Sequence, residues 1–304
     1  MPDNETIQEE RMFKTITLKR TFVLLLILCC STVSATPYKD VRKRILKDID
    51  KGKPIVAHIS VALADNKYQW IARVPDKIGN GQQPQNNLYW GALYGLKTFL
   101  TKKKRWKLTP ATSTKDKAIL ERIVLLKTFT INGKKTDFYV VADAWDGKTI
   151  NKAVEKFAAH ASGNTPETIT INNTKVHAGS NAHLIGYIGH DILMDYNLSD
   201  NNTLTEMPKL NSIHPQKDNP AKSTIVLACQ SNRYFKEKLL YWNVNPLILT
   251  NSNMAPEAYT VDAILNSFAK QATAKQIHES AAQAYNKYQK CGINSARKLF
   301  YFSK

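Results

Sequence analysis

The stretch IVLACQSNRYF, Ile225 to Phe235, begins with four apolar residues, continues into a cysteine and ends in mostly polar residues. A short apolar run with this ending is typical of a strand that is buried on both faces of a sheet. Cys229 therefore stands at the carboxyl end of a predicted strand. Free cysteine is among the most often buried residue types, so packing alone would explain it, whereas a nearby base would make it a nucleophile.

Other apolar runs of this kind alternate with helical patterns along the chain. Val41, Ile45 and Ile49 recur every four residues and predict one face of an amphipathic helix that ends at Gly52. Asn132-Gly133 lies between two strand-like runs and predicts a hairpin. The further strand-like runs are PIVAHISVAL (54–63), AHLIGYIGHD (182–191) and PLILTNSN (246–253). This alternation predicts an α/β fold, with a mostly parallel sheet sandwiched between helices and a local hairpin.

The chain is divided by pattern into a leader and one domain. Residues 1–35 hold basic residues, the apolar run FVLLLILCC and the small-residue stretch STVSA, which predict a signal peptide cleaved after Ala35. We therefore expect an exported protein, periplasmic or extracellular, whose mature chain has no transmembrane segment. Residues 36–304 then form a single α/β domain with a core over 54–270 and a C-terminal helical segment over 271–304.

Several helices are expected within that domain. The segment 88–106, LYWGALYGLKTFLTKKKRW, is predicted as a helix capped by Asn87. KTINKAVEKFAAHASG is predicted as a helix closed by Gly163, and the C-terminal pattern predicts a long helix broken at Gly292.

The formal net charge of +18 favours contact with an anionic surface or polymer. The lysines are scattered rather than confined to one stripe, which makes nucleic acid an unfavoured partner and leaves a solvated basic surface as the alternative. We expect no cofactor. His177, His183 and His190 match no metal-ligand spacing, so no metal site is predicted. Removal of the leader leaves Cys229 and Cys291, as one disulfide bridge or as two thiols.

Polar residues follow three of the apolar runs, where the ligand crevice of an open α/β sheet lies. If the runs are neighbouring parallel strands, His190 and Cys229 stand on adjacent strand ends, about 4.8 Å apart. An imidazole beside a thiol favours the thiolate, which attacks a carbonyl while the histidine protonates the leaving amine. Backbone amides of Cys229 and of the turn from Gly189 to Asp191 are the candidate oxyanion donors.

The two motifs IGYIGHD and IVLACQSNRYF resemble the caspase, legumain and gingipain superfamily of cysteine peptidases. There, one apolar strand ends in His-Gly and the next ends in a small or acidic residue followed by cysteine. The resemblance implies a caspase-like sandwich in which Cys229 is the nucleophile and His190 its partner. Asp191 stands where the family has glycine, and a carboxylate there would oppose the oxyanion unless it turned away.

Substrate contacts are expected at the same edge of the sheet. Asp143 and Asp146 end the run FYVVADAW and its turn, as an acidic pocket for lysine or arginine or as a solvated turn that caps a helix. The other candidate substrate-binding residues are Ser231, Asn251 and Ser252. The leading hypothesis is an exported cysteine peptidase with a peptide or protein substrate, and the alternative is a non-catalytic binding protein on the same scaffold that engages an anionic or peptide partner.

Overall fold

An eight-stranded sheet forms the middle layer of the protein. The computed structural model describes residues 36–110, 114–198 and 206–302. The strands are β1 (Ile55–Ala62), β2 (Lys107–Thr109), β3 (Ile119–Ile131), β4 (Lys134–Trp145), β5 (Pro166–Ile171), β6 (Thr174–Gly179), β7 (Leu184–Ile188), β8 (Ser223–Leu227), β9 (Asn245–Thr250) and β10 (Phe300–Tyr301). The sheet order is β10-β9-β8-β7-β1-β4-β3-β2, and β5 and β6 form a separate antiparallel pair.

The centre of this sheet is parallel. Strands β9, β8, β7, β1 and β4 run in one direction, whereas β3 and β10 are antiparallel to their neighbours. The hairpin prediction is confirmed, because Asn132 and Gly133 join β3 to β4 with positive φ angles of 48° and 77°. Those angles suit the tight turn that an Asn-Gly pair favours.

Helices cover both faces of the sheet. They are α1 (Tyr38–Asp50), α2 (Leu96–Thr98, continued by a π-helical turn at Phe99–Lys103), α3 (Ile150–Ala161), α4 (Ile192–Leu198), α5 (Ser231–Tyr241), α6 (Ala258–Ala269), α7 (Ala274–Gln289) and α8 (Ile293–Leu299). Alternate residues of β1 point to opposite layers: Ile55, Ile59 and Val61 pack with α1, α6 and α7, while Val56 and Ala62 pack with α3 and α5. The predicted three-layer α/β sandwich is thereby confirmed.

The predicted helix over 88–106 is wrong for its first half, where the chain forms successive turns before α2 begins. The buried side chain of Asn87 accepts hydrogen bonds from the amides of Ala64 and Tyr89 and donates to Ala64 O. A Cβ on Gly91 would lie 2.1 Å from Gln85 O, so the backbone is folded tightly onto itself there. Tertiary packing against the end of β1 therefore overrides the helical spacing of Leu88 and Ala92.

Within the described ranges, no helix is both long and apolar enough to cross a membrane. The predicted signal peptide, residues 1–35, lies outside the described residues.

Candidate functional site

The ends of β7 and β8 bring His190 and Cys229 to one cavity. These strands are parallel neighbours, with Ile188 opposite Leu227 in the last pair of the ladder. His190 and Cys229 each stand two residues beyond the end of their strand. Both side chains line a cavity of about 380 Å³, together with Gly189. The structure thus places the thiol and the imidazole in a common site at the carboxyl edge of the sheet.

Cys229 occupies a tight turn between β8 and α5. Gln230, which follows it, has a left-handed conformation with φ 50°, and α5 begins at Ser231. A non-glycine residue in this region carries strain of about 1–3 kcal/mol, and such residues cluster at functional sites. The start of α5 also places the positive end of a helix dipole beside the thiol, which favours a thiolate.

The sulfur of Cys229 is engaged by the loop that follows β9. The Met254 amide donates to Sγ at 3.4 Å, and the thiol donates to Met254 O at 3.6 Å. Burial raises the pKa of the thiol above its usual value. Among the described residues, Met254 and not His190 is the hydrogen-bond partner of this sulfur. Cys229 is therefore a thiol that lies near the imidazole without a hydrogen bond to it.

His190 is buried and oriented by two contacts. Its Nε2 lies 2.8 Å from Asp195 Oδ1, and its carbonyl accepts a hydrogen bond of 2.7 Å from the Tyr187 hydroxyl. The contact with Asp195 occupies Nε2, so Nδ1 is the nitrogen left to exchange a proton with a group in the cavity. An acidic side chain in this position also fixes the orientation of the imidazole ring.

Asp191 is fully buried beside this pair. Its Oδ1 accepts a hydrogen bond of 3.0 Å from the Leu193 amide at the start of α4, and its Oδ2 is buried without a partner among the described residues. Burial raises the pKa of this carboxyl well above its ordinary value. The expectation that Asp191 brings a negative charge next to the oxyanion therefore changes, because the site favours the neutral carboxylic acid.

The backbone of Gly189 is committed to the sheet. Its φ of 147° favours glycine, and a Cβ there would lie 2.7 Å from Ala62 O, so a larger residue would displace the end of β1. Its amide donates to Leu227 O at 3.3 Å. This amide therefore bridges β7 and β8 rather than serving as the predicted oxyanion donor. The amides of Cys229, His190 and Asp191 remain the candidate donors.

The predicted acidic pocket does not form from Asp143 and Asp146. Asp143 lies inside β4 and is fully buried, where Arg122 bonds both of its oxygens at 2.5 and 2.7 Å and His58 Nε2 lies 3.0 Å from Oδ2. Burial opposes its ionisation, yet these hydrogen bonds lower its pKa to about 2. Asp146 accepts from the Lys148 amide and from Gln82 Nε2, as a turn cap would. Neither carboxylate lines the cavity that contains Cys229.

The other predicted substrate residues serve the scaffold. Ser231 is buried, and its hydroxyl donates to Val226 O at 2.8 Å and accepts from the Thr250 amide at 2.9 Å. Asn251 donates from its amide to Leu299 O and from Nδ2 to Lys298 O, which ties the end of β9 to α8. The Ser252 carbonyl accepts from the Gln230 amide and so stabilises the turn after Cys229. The neighbouring Asn253 lines the cavity instead.

Cys229 and Cys291 are both free thiols, so the alternative of a disulfide between them is wrong. Cys291 is exposed, next to the break at Gly292. Of the three histidines considered for a metal site, His190 lies apart from His183: His183 precedes β7 and contacts Asp48 at 3.2 Å, whereas His190 follows β7.

Two loops form the walls of this cavity, and the individual residues that they contribute were not among the predicted site residues. The long loop after β1 contributes Trp70, Ile71 and Val74, and the loop after β9 contributes Met254 and Glu257. The signal for the first loop was the long stretch rich in Gly, Pro, Asn and Gln after the run PIVAHISVAL, because such loops are often functional. Which of their side chains enter the cavity depends on tertiary packing.

A second cluster with ligand chemistry is buried between the sheet and the β5–β6 hairpin. Nitrogen or oxygen atoms of His58, His160 and Glu167 all lie within 4.8 Å of one another. The cluster already contains a cation, since Arg122 bonds Asp143 and also Glu167 at 3.0 Å. His58 Nδ1 accepts from the Gly179 amide at 2.9 Å, so this nitrogen has a partner. The guanidinium of Arg122 thus supplies the positive charge beside these carboxylates that a bound metal ion would otherwise supply.

Comparisons of the chain with protein-family models, with curated proteins and with solved structures found no match.

Proposed function

We propose that this chain is an exported cysteine peptidase that cleaves peptide bonds with Cys229 and His190. The supporting observation is that both side chains line one cavity at the carboxyl ends of adjacent parallel strands. The strained turn at Gln230 and the start of α5 beside the thiol add to it. The resemblance of IGYIGHD and IVLACQSNRYF to caspase, legumain and gingipain motifs points the same way.

The reaction follows from the positions of these groups. His190 Nδ1 accepts the thiol proton, and the thiolate of Cys229 attacks the substrate carbonyl to form a tetrahedral oxyanion, with the Cys229 amide as donor. The imidazolium, oriented by Asp195, then protonates the leaving amine as the carbon–nitrogen bond breaks. A water molecule, deprotonated by the neutral imidazole, hydrolyses the thioester and restores the thiol.

The cavity favours a peptide with an apolar side chain beside the scissile carbonyl. Ten of its fifteen lining residues are apolar or aromatic, and Glu257 is the carboxylate among them. Burial raises the pKa of Glu257, and Gln289 donates to it at 3.3 Å, so this carboxyl is an unfavourable partner for a lysine or arginine. The apolar residues are Trp70, Ile71, Ala72, Val74, Leu88, Tyr89, Met194, Met254, Ala255 and Pro256.

A non-catalytic peptide-binding protein is the second candidate, and the state of the thiol favours it. The Cys229 thiol donates a hydrogen bond to Met254 O and accepts one from the Met254 amide, and burial disfavours the thiolate. In that case the same cavity would hold a peptide side chain without chemistry.

A thiol-reactive peptidyl probe with a leucine beside its electrophile separates the two functions. We expect labelling of the wild type at pH 7.5, no labelling of Cys229→Ala, and unchanged labelling of the control Cys291→Ser, whose thiol is exposed and outside the cavity. Loss of a general base typically costs 10²–10⁴-fold, so His190→Ala should label at least about a hundredfold more slowly. Peptide binding without labelling of Cys229 would reject the peptidase in favour of the binding protein.

A further inference from the structure

A basic cavity of about 400 Å³ opens at the amino edge of the sheet, the opposite edge from Cys229. Val56 near the start of β1 and His183 before β7 line it, whereas Cys229 follows the end of β8, which runs parallel to both. Four of its lining residues are basic and one is acidic, which gives a formal charge of 4 − 1 = +3. The charged residues are Arg44, Lys47, Asp48, Lys51 and Lys53.

The base of this amino-edge cavity is fixed by hydrogen bonds. Arg44 donates from Nη1 to Ala182 O at 3.1 Å and to Ala221 O at 2.8 Å, and from Nη2 to Asn181 O at 2.5 Å. These bonds to carbonyl oxygens hold the guanidinium in place, and its Nε also lies 3.8 Å from Asp48 Oδ2, so Asp48 offsets part of its charge. His183 is fixed as well, since Nδ1 accepts from the Val56 amide and Nε2 contacts Asp48. Asp48, the single acid, is therefore already paired with protein groups.

The rim of the cavity carries exposed donors. Lys47 and Lys51 are four positions apart at the end of α1 and share one side of it. Lys53 lies 3.6 Å from Asp48 and is half exposed, and the exposed His177 completes the rim. These side chains line one cavity with Asp48, the acid among them, which already has protein partners. Lysines at a helix end also offset the helix dipole, but the dipole does not require a cavity or Lys53, which lies beyond the helix.

We propose that the amino-edge cavity binds a phosphate-type oxyanion. Such a group offers several strong acceptor oxygens and more than one negative charge, which match a concave site that is rich in donors and carries a surplus of positive charge. The neighbouring cavity beyond Lys53 is lined by Asp50 and Asp137 as well as by Lys134 and Lys135, so the surplus of positive charge is confined to the amino-edge cavity. The site is independent of Cys229 and of the proposed peptidase.

Calorimetric titration with pyrophosphate at constant ionic strength tests the proposal. We expect the wild type and Cys229→Ala to bind alike, and Lys47→Gln/Lys51→Gln to bind at least about tenfold more weakly, a loss of about 1.4 kcal/mol. The control Lys102→Gln/Lys103→Gln removes the same charge from an exposed site at the end of α2 and should retain affinity within about twofold. All four lysines are exposed, so both double variants should fold.

Vesicles that contain phosphatidic acid distinguish the source of the oxyanion. Co-sedimentation that depends on Lys47 and Lys51, without pyrophosphate binding, would identify a lipid headgroup and still support the site. Equal weakening in both double variants would show only general charge attraction and would overturn the proposal, as would no binding of pyrophosphate or vesicles.

Discussion

At the scale of single residues, the ionisation state of Asp191 determines whether the candidate site has a negative charge next to the thiol. It stands next to His190, is fully buried and has one oxygen without a partner among the described residues. An ionised carboxylate there would raise the pKa of Cys229 and repel an oxyanion, whereas a neutral acid does neither. Its burial and its raised pKa favour the neutral form. Asp191 is then a helix-capping acid that remains uncharged near the nucleophile.

We predict that Asp191→Asn leaves the ionisation of Cys229 almost unchanged. Asparagine keeps the acceptor for the Leu193 amide and is as uncharged as the protonated acid. The measurement is the rate of alkylation of Cys229 by iodoacetamide from pH 6 to 10, in a Cys291→Ser background. A fall of a full unit in the apparent pKa of Cys229 would mean about tenfold more thiolate at neutral pH and would contradict a neutral Asp191.

At the scale of elements, one arginine connects three strands. Arg122 in β3 bonds Asp143 in β4 and Glu167 in β5, and so fixes the hairpin of β5 and β6 to the main sheet. His160 in α3 contacts Glu167 at 3.2 Å and lies against His58, with ring centres 4.4 Å apart and ring planes tilted by 40°. The network is nearly dry, since the Arg122 side chain is 8% exposed. Its charges therefore depend on each other.

We predict that Arg122→Ala lowers the free energy of unfolding by about 3–5 kcal/mol, because it removes the guanidinium from the buried Asp143 carboxylate and leaves only the His58 contact. Urea unfolding at pH 7 measures the change. The control is Arg73→Ala, whose side chain is 79% exposed and pairs with Asp76, and which should change stability by less than about 0.5 kcal/mol. A similar, small effect of both variants would show that the network around Arg122 contributes little to the free energy of unfolding.

The elements with strong local patterns could be predicted from the sequence, and those defined by long-range contacts could not. Val41 and Ile45 specify α1, and Asn132-Gly133 specifies its hairpin, because periodicity and turn geometry act within a few residues. Asn87 was expected to cap a helix but instead binds Ala64, 23 residues earlier. In the site, the positions of His190 and Cys229 could be predicted because each follows the end of an apolar strand. The contact between Met254 and the Cys229 sulfur could not be predicted, because it forms only in the folded chain.

At the scale of the whole molecule, the two edges of the parallel sheet differ in character. The carboxyl edge holds an apolar cavity with a thiol and an imidazole, and the amino edge holds a basic cavity. Parallel strands create this separation, because every strand of the parallel centre ends at the same edge. The proposed peptide and the proposed oxyanion can therefore bind at the same time, without contact between them.

Buried histidines make the free energy of unfolding of the whole molecule depend on pH. Burial lowers the pKa of His160 to about 3 and that of His183 to about 4. Both titrate near pH 6.5 in an unfolded chain, so between about pH 4 and 6.5 the unfolded state binds more protons than the folded state. The free energy of unfolding should therefore fall as the pH is lowered through this window. Each histidine contributes a slope of up to about 1.4 kcal/mol per pH unit.

We predict that His183→Asn reduces that slope by up to about 1.4 kcal/mol per pH unit, the contribution of one histidine. Asparagine can still accept a hydrogen bond from the Val56 amide but does not titrate. Urea unfolding at half-unit steps from pH 4.5 to 7 measures the slope. The control His177→Asn removes an exposed histidine and should leave the slope as in the wild type. Carboxylates such as Asp143, whose pKa is lowered to about 2, add a loss of stability that begins near pH 5, where the unfolded chain starts to bind protons, and this loss is the same in both proteins. An equal slope in wild type and His183→Asn would therefore mean that His183 is already protonated in the folded protein, with Asp48 as its counter-ion.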